Sequence, residues 1–249
     1  MNKTSHAGWR RRTGVSSILA RILLLAMFFG TLCGQAVFAG TDDRILLLGD
    51  SMMSANRGSG QSVAAVIEAA VGEDVNDRST AGARYFYALP ISGKAGLRLT
   101  EQYRQGRWSW VVLNGGGNDL LFGCGCSKCA KMLDRLVSND GRSGAIPTFI
   151  AKIRKTGARV IYVGYLRNPG VQSPIKACKP AGNELDRRLA KMARADGGVT
   201  FLPMSDLVPN GDRSFHQGDL IHPSVKGSRG IGTRIARVIK KCAGPQVCG

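Results

Sequence analysis

Ile45-Leu46-Leu47-Leu48-Gly49-Asp50-Ser51 is the stretch from which the rest of the chain can be read. Four consecutive aliphatic residues, too few for a helix, mark a parallel strand buried on both faces. Gly49 permits a sharp turn at the strand's end. Ser51 then stands just past the carboxyl end, where open α/β sheets collect ligands and reactive groups. Gly, Asp and Ser are also ordinary turn residues. The heptapeptide therefore marks a nucleophile only if the chain supplies partners for it.

Upstream lies a segment to set aside before any fold argument. Lys3, Arg10, Arg11, Arg12 and Arg21 form a basic head without an acid, followed by the apolar run Ile22 to Phe29 and by Val37-Phe38-Ala39. That is the pattern of a secretory signal over residues 1–39, leaving a single domain over 40–249. The charge-free stretch Ile22 to Thr41 is long enough to span a bilayer, so an N-terminal membrane anchor is the alternative. Gly30, Thr31, Gly34 and Gln35 dilute its second half and favour cleavage. The residues after Arg11-Arg12 do not continue a twin-arginine signal. Leu32 stands where a lipoprotein site before Cys33 takes a small residue. The expected location is periplasmic or secreted.

Export sets the reading of charge and cysteine. Residues 1–39 hold five of the 35 basic residues and none of the 17 acidic ones, so the remaining chain carries +13. Such a charge suits contact with anionic envelope components. The basic residues are scattered and accompany no nucleic-acid motif, so neither nucleic acid nor a specific protein partner is implied. Without Cys33, six cysteines remain: Cys124, Cys126, Cys129, Cys178, Cys242 and Cys248. An even number in an exported chain predicts disulfides. Cys242 pairs with Cys248 by proximity, and the other four allow three connectivities. A four-thiolate zinc site is the competing use of Cys124, Cys126, Cys129 and Cys178. The oxidising compartment and the spacing weigh against it, so no metal or cofactor is expected. A bridge from Cys178 to the cluster would stiffen the mouth of the site.

Along the chain, Val63, Val66, Ile67 and Ala70 predict a helix over Ser62–Val71 that Gly72 ends. A weaker extended segment follows at Asp74–Asn76. Residues 84–107 show no definite element. Trp108–Leu113, Arg159–Val163 and Val199–Leu202 read as strands. Met132, Leu133, Leu136 and Val137 mark a helix after a cysteine-rich loop. Pro147 suits the first position of another, which Gly157 closes. Further helices are predicted from Glu184 to about Arg194 and around Ile231, Ile235, Val238 and Ile239. Strands alternating with helices imply a parallel sheet covered on both faces, a three-layer α/β/α sandwich.

A serine needs a base, and a base needs orienting. Two histidines remain after residue 39. His216 reads as a loop residue, while His222 follows Asp219 by three positions in Asp219-Leu220-Ile221-His222. Gly82 can offer a backbone N–H and Asn118 a side-chain amide to a developing oxyanion. Trp108 and Trp110 read as packing.

Taken in order, Gly49-Asp50-Ser51, Gly82, Gly116-Gly117-Asn118-Asp119 and Asp219-Leu220-Ile221-His222 resemble the four marks of the SGNH/GDSL hydrolase family. The resemblance implies a flavodoxin-like fold and metal-independent ester hydrolysis. Ser51 would be the nucleophile, His222 base and then acid, and Asp219 its orienter. The oxyanion hole would comprise the Ser51 N–H, the Gly82 N–H and Asn118. Met52 stands where the name-giving leucine would, and Ala83-Arg84 follows Gly82 where a threonine is common. The expected function is an exported serine esterase acting on acyl or acetyl esters of lipid or carbohydrate. Alternatives are acyl transfer to a sugar or a non-catalytic envelope-binding protein. Acyl length and the alcohol portion stay open at this point.

Overall fold

Ile45–Leu48 forms the first strand, β1, with all four residues inaccessible to solvent. The computed structural model describes residues 44–242, which fall within the compact unit Thr41–Gly249. The expected signal segment over residues 1–39, with Cys33, and Cys248 lie outside the described residues. Beyond β1, the strands are β2 (Val75–Asp77), β3 (Trp110–Leu113), β4 (Arg159–Val163) and β5 (Val199–Leu202). All pair in parallel, in the order β2-β1-β3-β4-β5. This is the flavodoxin-like order.

Alternation along the strands divides the core into two layers. Leu46, Leu48, Val111, Leu113, Val160 and Tyr162 face one side. They pack on α4 (Ala130–Leu136), α5 (Ala145–Arg154) and α6 (Lys179–Arg194). Ile45, Leu47, Trp110, Val112, Ile161 and Val163 face the other. They meet α1 (Ser51–Ser54), α2 (Val63–Val71) and α7 (Val225–Cys242). The sandwich thus has the three layers that the strand–helix alternation predicts.

Several helix limits differ from the sequence expectation, each for a local reason. A helix, α3 (Gly117–Cys124), occupies what reads as the start of a cysteine-rich loop. Pro147 lies at the third position of α5, where its missing N–H is still among those without a helical partner. Helix α6 begins five residues before Glu184, with Pro180 in its first turn. Between residues 84 and 107 the chain makes a helical turn at Pro90–Ser92 and tight turns at Gly93–Leu97 and Leu99–Gln102. Arg84 anchors this segment, its N–H donating to Leu97 O and its carbonyl accepting from Leu99 N. No helix among the described residues is long and apolar enough to cross a membrane.

Candidate active site

Ser51 opens α1 directly after β1, and Asp50 caps that helix by accepting the Met52 N–H at 2.9 Å. The turn between strand and helix leaves no room for a side chain. Gly49 has φ +153°, and a Cβ there would stand 2.1 Å from Asn114 Oδ1. Gln102, 1 % exposed, clasps the same glycine, accepting from its N–H at 2.8 Å and donating to its carbonyl at 2.9 Å.

Asp50 is itself buried, 2 % exposed. Its Oδ1 takes the Met52 N–H and the Asn114 amide, and its Oδ2 takes the Tyr165 hydroxyl. Burial pushes its pKa up, against the pull of these donors. Tyr165 also accepts the Gly117 N–H at 3.0 Å. One phenol therefore ties the Gly-Asp-Ser turn after β1 to the start of α3.

Asn118 is the second residue of α3, and its Nδ2 donates to Ala83 O at 3.0 Å. Asp119 next to it is 1 % exposed and accepts the N–H groups of Tyr85 and Phe86 at 3.0 and 2.9 Å. Together they fasten the loop that carries Gly82, whose φ is +80°. Asn118 keeps a second amide hydrogen for another acceptor.

On the far side, Asp219 shapes a tight turn by accepting the Ile221 and His222 N–H groups at 2.9 and 3.0 Å on Oδ1. Leu220 adopts φ +56° inside that turn. Asp219 Oδ2 lies 2.5 Å from His222 Nδ1, fixing the ring with Nε2 outward. Burial would raise the Asp219 carboxyl, but the His222 ring and the two N–H groups outweigh it and hold the pKa down.

Ser51, Asn118 and His222 line one cavity of about 110 Å³ at the carboxyl end of the sheet. Its walls are largely apolar, with Leu120, Leu121, Leu166, Ile175, Leu185 and Ile221 among them. Asp219 stands behind His222, and Gly82 lies outside the lining. No hydrogen bond joins Ser51 to His222 among the described residues; such bonds are often long before substrate arrives. His216 is 5 % exposed, with neither ring nitrogen partnered among the described residues, and burial lowers its pKa. It does not line the cavity. Both tryptophans pack against the core as expected, Trp110 within β3 and Trp108 just before the strand, where its indole N–H donates to Arg104 O.

Cys126 is bonded to Cys178 and Cys124 to Cys129, which removes the four-thiolate alternative. Cys178 lines the cavity, so the first bridge reinforces its wall. Cys242 is also disulfide-bonded.

Sequence reading missed Tyr165, Gln102 and Asn114. Asn114 carried a signal as the polar residue directly after β3. Tyr165 carried none, because its partners are distant in the chain.

The solved structures similar to this chain share its fold at low identity. A family two carbohydrate esterase from Clostridium thermocellum, in complex with cellohexaose, has 19 % identity and TM-score 0.54, covering 80 % of this chain and 64 % of its own. The chain therefore spans less than two thirds of that protein's length. TesA has 20 % identity and TM-score 0.53, covering 79 % of this chain and 98 % of its own. The lipase Lip_vut3 from a goat rumen metagenome has 14 % identity and TM-score 0.52, covering 78 % and 95 %. No curated protein is a significant sequence match. The model of the GDSL-like lipase/acylhydrolase family matches residues 47–229, and the chain belongs to that family.

Proposed function

We propose that this protein is an exported esterase cleaving acyl or acetyl esters through Ser51, His222 and Asp219. The observation that carries the reading is the shared cavity of Ser51, Asn118 and His222, with Asp219 on the far nitrogen of the imidazole. Ser51 Oγ attacks the ester carbonyl while His222 Nε2 takes its proton. The developing oxyanion is met by the Ser51 and Gly82 N–H groups and by the free amide hydrogen of Asn118. The tetrahedral species collapses to an acyl-serine as His222 returns the proton to the departing alcohol. Water, deprotonated by the same imidazole, then releases the acid and restores Ser51. Asp219 holds the tautomer and stabilises the imidazolium.

A volume of about 110 Å³ lies well below the roughly 300 Å³ of small drug-sized pockets, which favours a short acyl group. Two disulfides support export to an oxidising compartment. Ser51→Ala should abolish hydrolysis of p-nitrophenyl acetate with an unchanged circular-dichroism spectrum. Across p-nitrophenyl esters of rising chain length, kcat/KM should be highest for the short ones. Undiminished turnover in the serine variant would overturn the proposal.

A further inference from the structure

Three large apolar side chains stand in solvent among the described residues: Leu89 at 63 %, Ile91 at 87 % and Phe122 at 65 % exposure. Side-chain contacts tie together the segments that carry them. The Arg84 guanidinium lies 5.2 Å from the Tyr87 ring centroid and 5.7 Å from that of Phe122. The Tyr87 hydroxyl bonds Ser92 Oγ at 3.0 Å, at the end of the Pro90–Ser92 turn that carries Ile91. The region borders the candidate site. Arg84 follows Ala83, whose carbonyl Asn118 holds, and Phe122 sits one helical turn beyond Asn118.

Its charge is mainly basic. Arg84, Lys94, Lys128 and Lys131 lie in the segments that carry it, while Arg98 is paired with Glu101 at 3.7 Å and Arg78 donates to the Gln102 carbonyl. Lys94 and Lys128 are exposed. Contiguous exposed apolar side chains mark interaction surfaces. Aliphatic tips set among cations suit insertion at the boundary between headgroups and acyl chains of an anionic bilayer. A second copy of this chain would set these cations against their own counterparts in a two-fold contact. A sugar polymer would call for open aromatic faces, whereas Leu89 and Ile91 are aliphatic and the Arg84 guanidinium lies 5.7 Å from the centroid of the one exposed aromatic among the three, Phe122.

We propose that this patch docks the protein on an anionic phospholipid bilayer. Leu89, Ile91 and Phe122 enter the acyl boundary, Lys94 and Lys128 meet phosphates, and the Asn118 edge of the site is brought to the lipid. The docking is independent of the chemistry assigned to Ser51.

The test is co-sedimentation with phosphatidylglycerol/phosphatidylcholine vesicles and with pure phosphatidylcholine vesicles. Both the full chain and Thr41–Gly249 are used, each compared with its own variants. Leu89→Ser/Ile91→Ser/Phe122→Ser should weaken partitioning at least tenfold. Lys94→Gln/Lys128→Gln should weaken it about fivefold per charge removed, on anionic vesicles alone. Hydrolysis of soluble p-nitrophenyl acetate should stay within twofold in every variant. Should the triple variant melt early, Ile91→Ser alone decides the matter. Equal partitioning of wild type and variants, or no partitioning of Thr41–Gly249, overturns the proposal. So does a dimer in solution that the triple variant breaks, which would make the surface a contact between copies.

Discussion

A buried carboxylate is costly unless donors meet its oxygens, and Asp50 is met by three, from Met52, Asn114 and Tyr165. The last of these joins two distant parts of the site, because Tyr165 also receives the Gly117 N–H. Tyr165→Phe leaves the ring in place but removes one donor to Asp50 and orphans a backbone N–H. It should cost about 1–3 kcal/mol in urea unfolding and lower kcat on a short ester. Unaltered stability would show that the phenol carries no such tie. At this scale the sequence was partly legible. Ser51, Asn118, Asp219 and His222 stand in short motifs whose chemistry is intelligible residue by residue. Gln102 and Tyr165 act by reaching backbone and side chains far along the chain, and no local pattern announces that.

Among elements, the loop after α3 is joined by Cys126–Cys178, across 52 residues, to the segment entering α6, where Cys178 lines the cavity. Constraining a loop of that length stabilises a fold by about 4 kcal/mol in the chain-entropy account. Cys126→Ser/Cys178→Ser should therefore lower the urea midpoint strongly and raise KM more than it lowers kcat. Equal loss in both parameters would contradict a wall-setting role. The buried strands were legible because runs such as Leu46-Leu47-Leu48 and Val111-Val112-Leu113 have no other place to go. Helix α2 was legible from the spacing of Val63, Val66, Ile67 and Ala70 and from Gly72, which ends it; Ser62 proves to be its N-cap. Helix α3 was not, because Gly117, Asn118 and Asp119 are turn formers. They join a helix here because the polar side chains are engaged by Ala83, Tyr85 and Phe86 instead.

For the whole molecule, β1 sits between β2 and β3, so the chain leaves it on one face and returns on the other. Ligand sites form at this reversal of strand order, and Ser51 and Asn118 follow the two strands beside it. Acid stability has a separate origin. Arg188, 8 % exposed, ties α6 to α4 through Glu184, Asp134 and the Val137 carbonyl. The Arg187 guanidinium first, and Arg188 against opposing burial, hold the Glu184 carboxyl down to about 2. A depressed carboxyl stabilises the fold above its unfolded value of 4.5 and loses that effect as pH falls toward about 2. Glu184→Gln should remove about 1 kcal/mol at neutral pH, after allowance for solvent screening, and flatten the loss across that window. A variant whose stability still falls in parallel with wild type would place the acid sensitivity elsewhere.

The most direct measurement is labelling by a fluorophosphonate, with the adduct located by peptide mass spectrometry. A single adduct on Ser51 is predicted, forming at least a hundredfold more slowly in His222→Ala. Ester hydrolysis that persists with Ser51 unlabelled, or an adduct on another residue, would contradict the account.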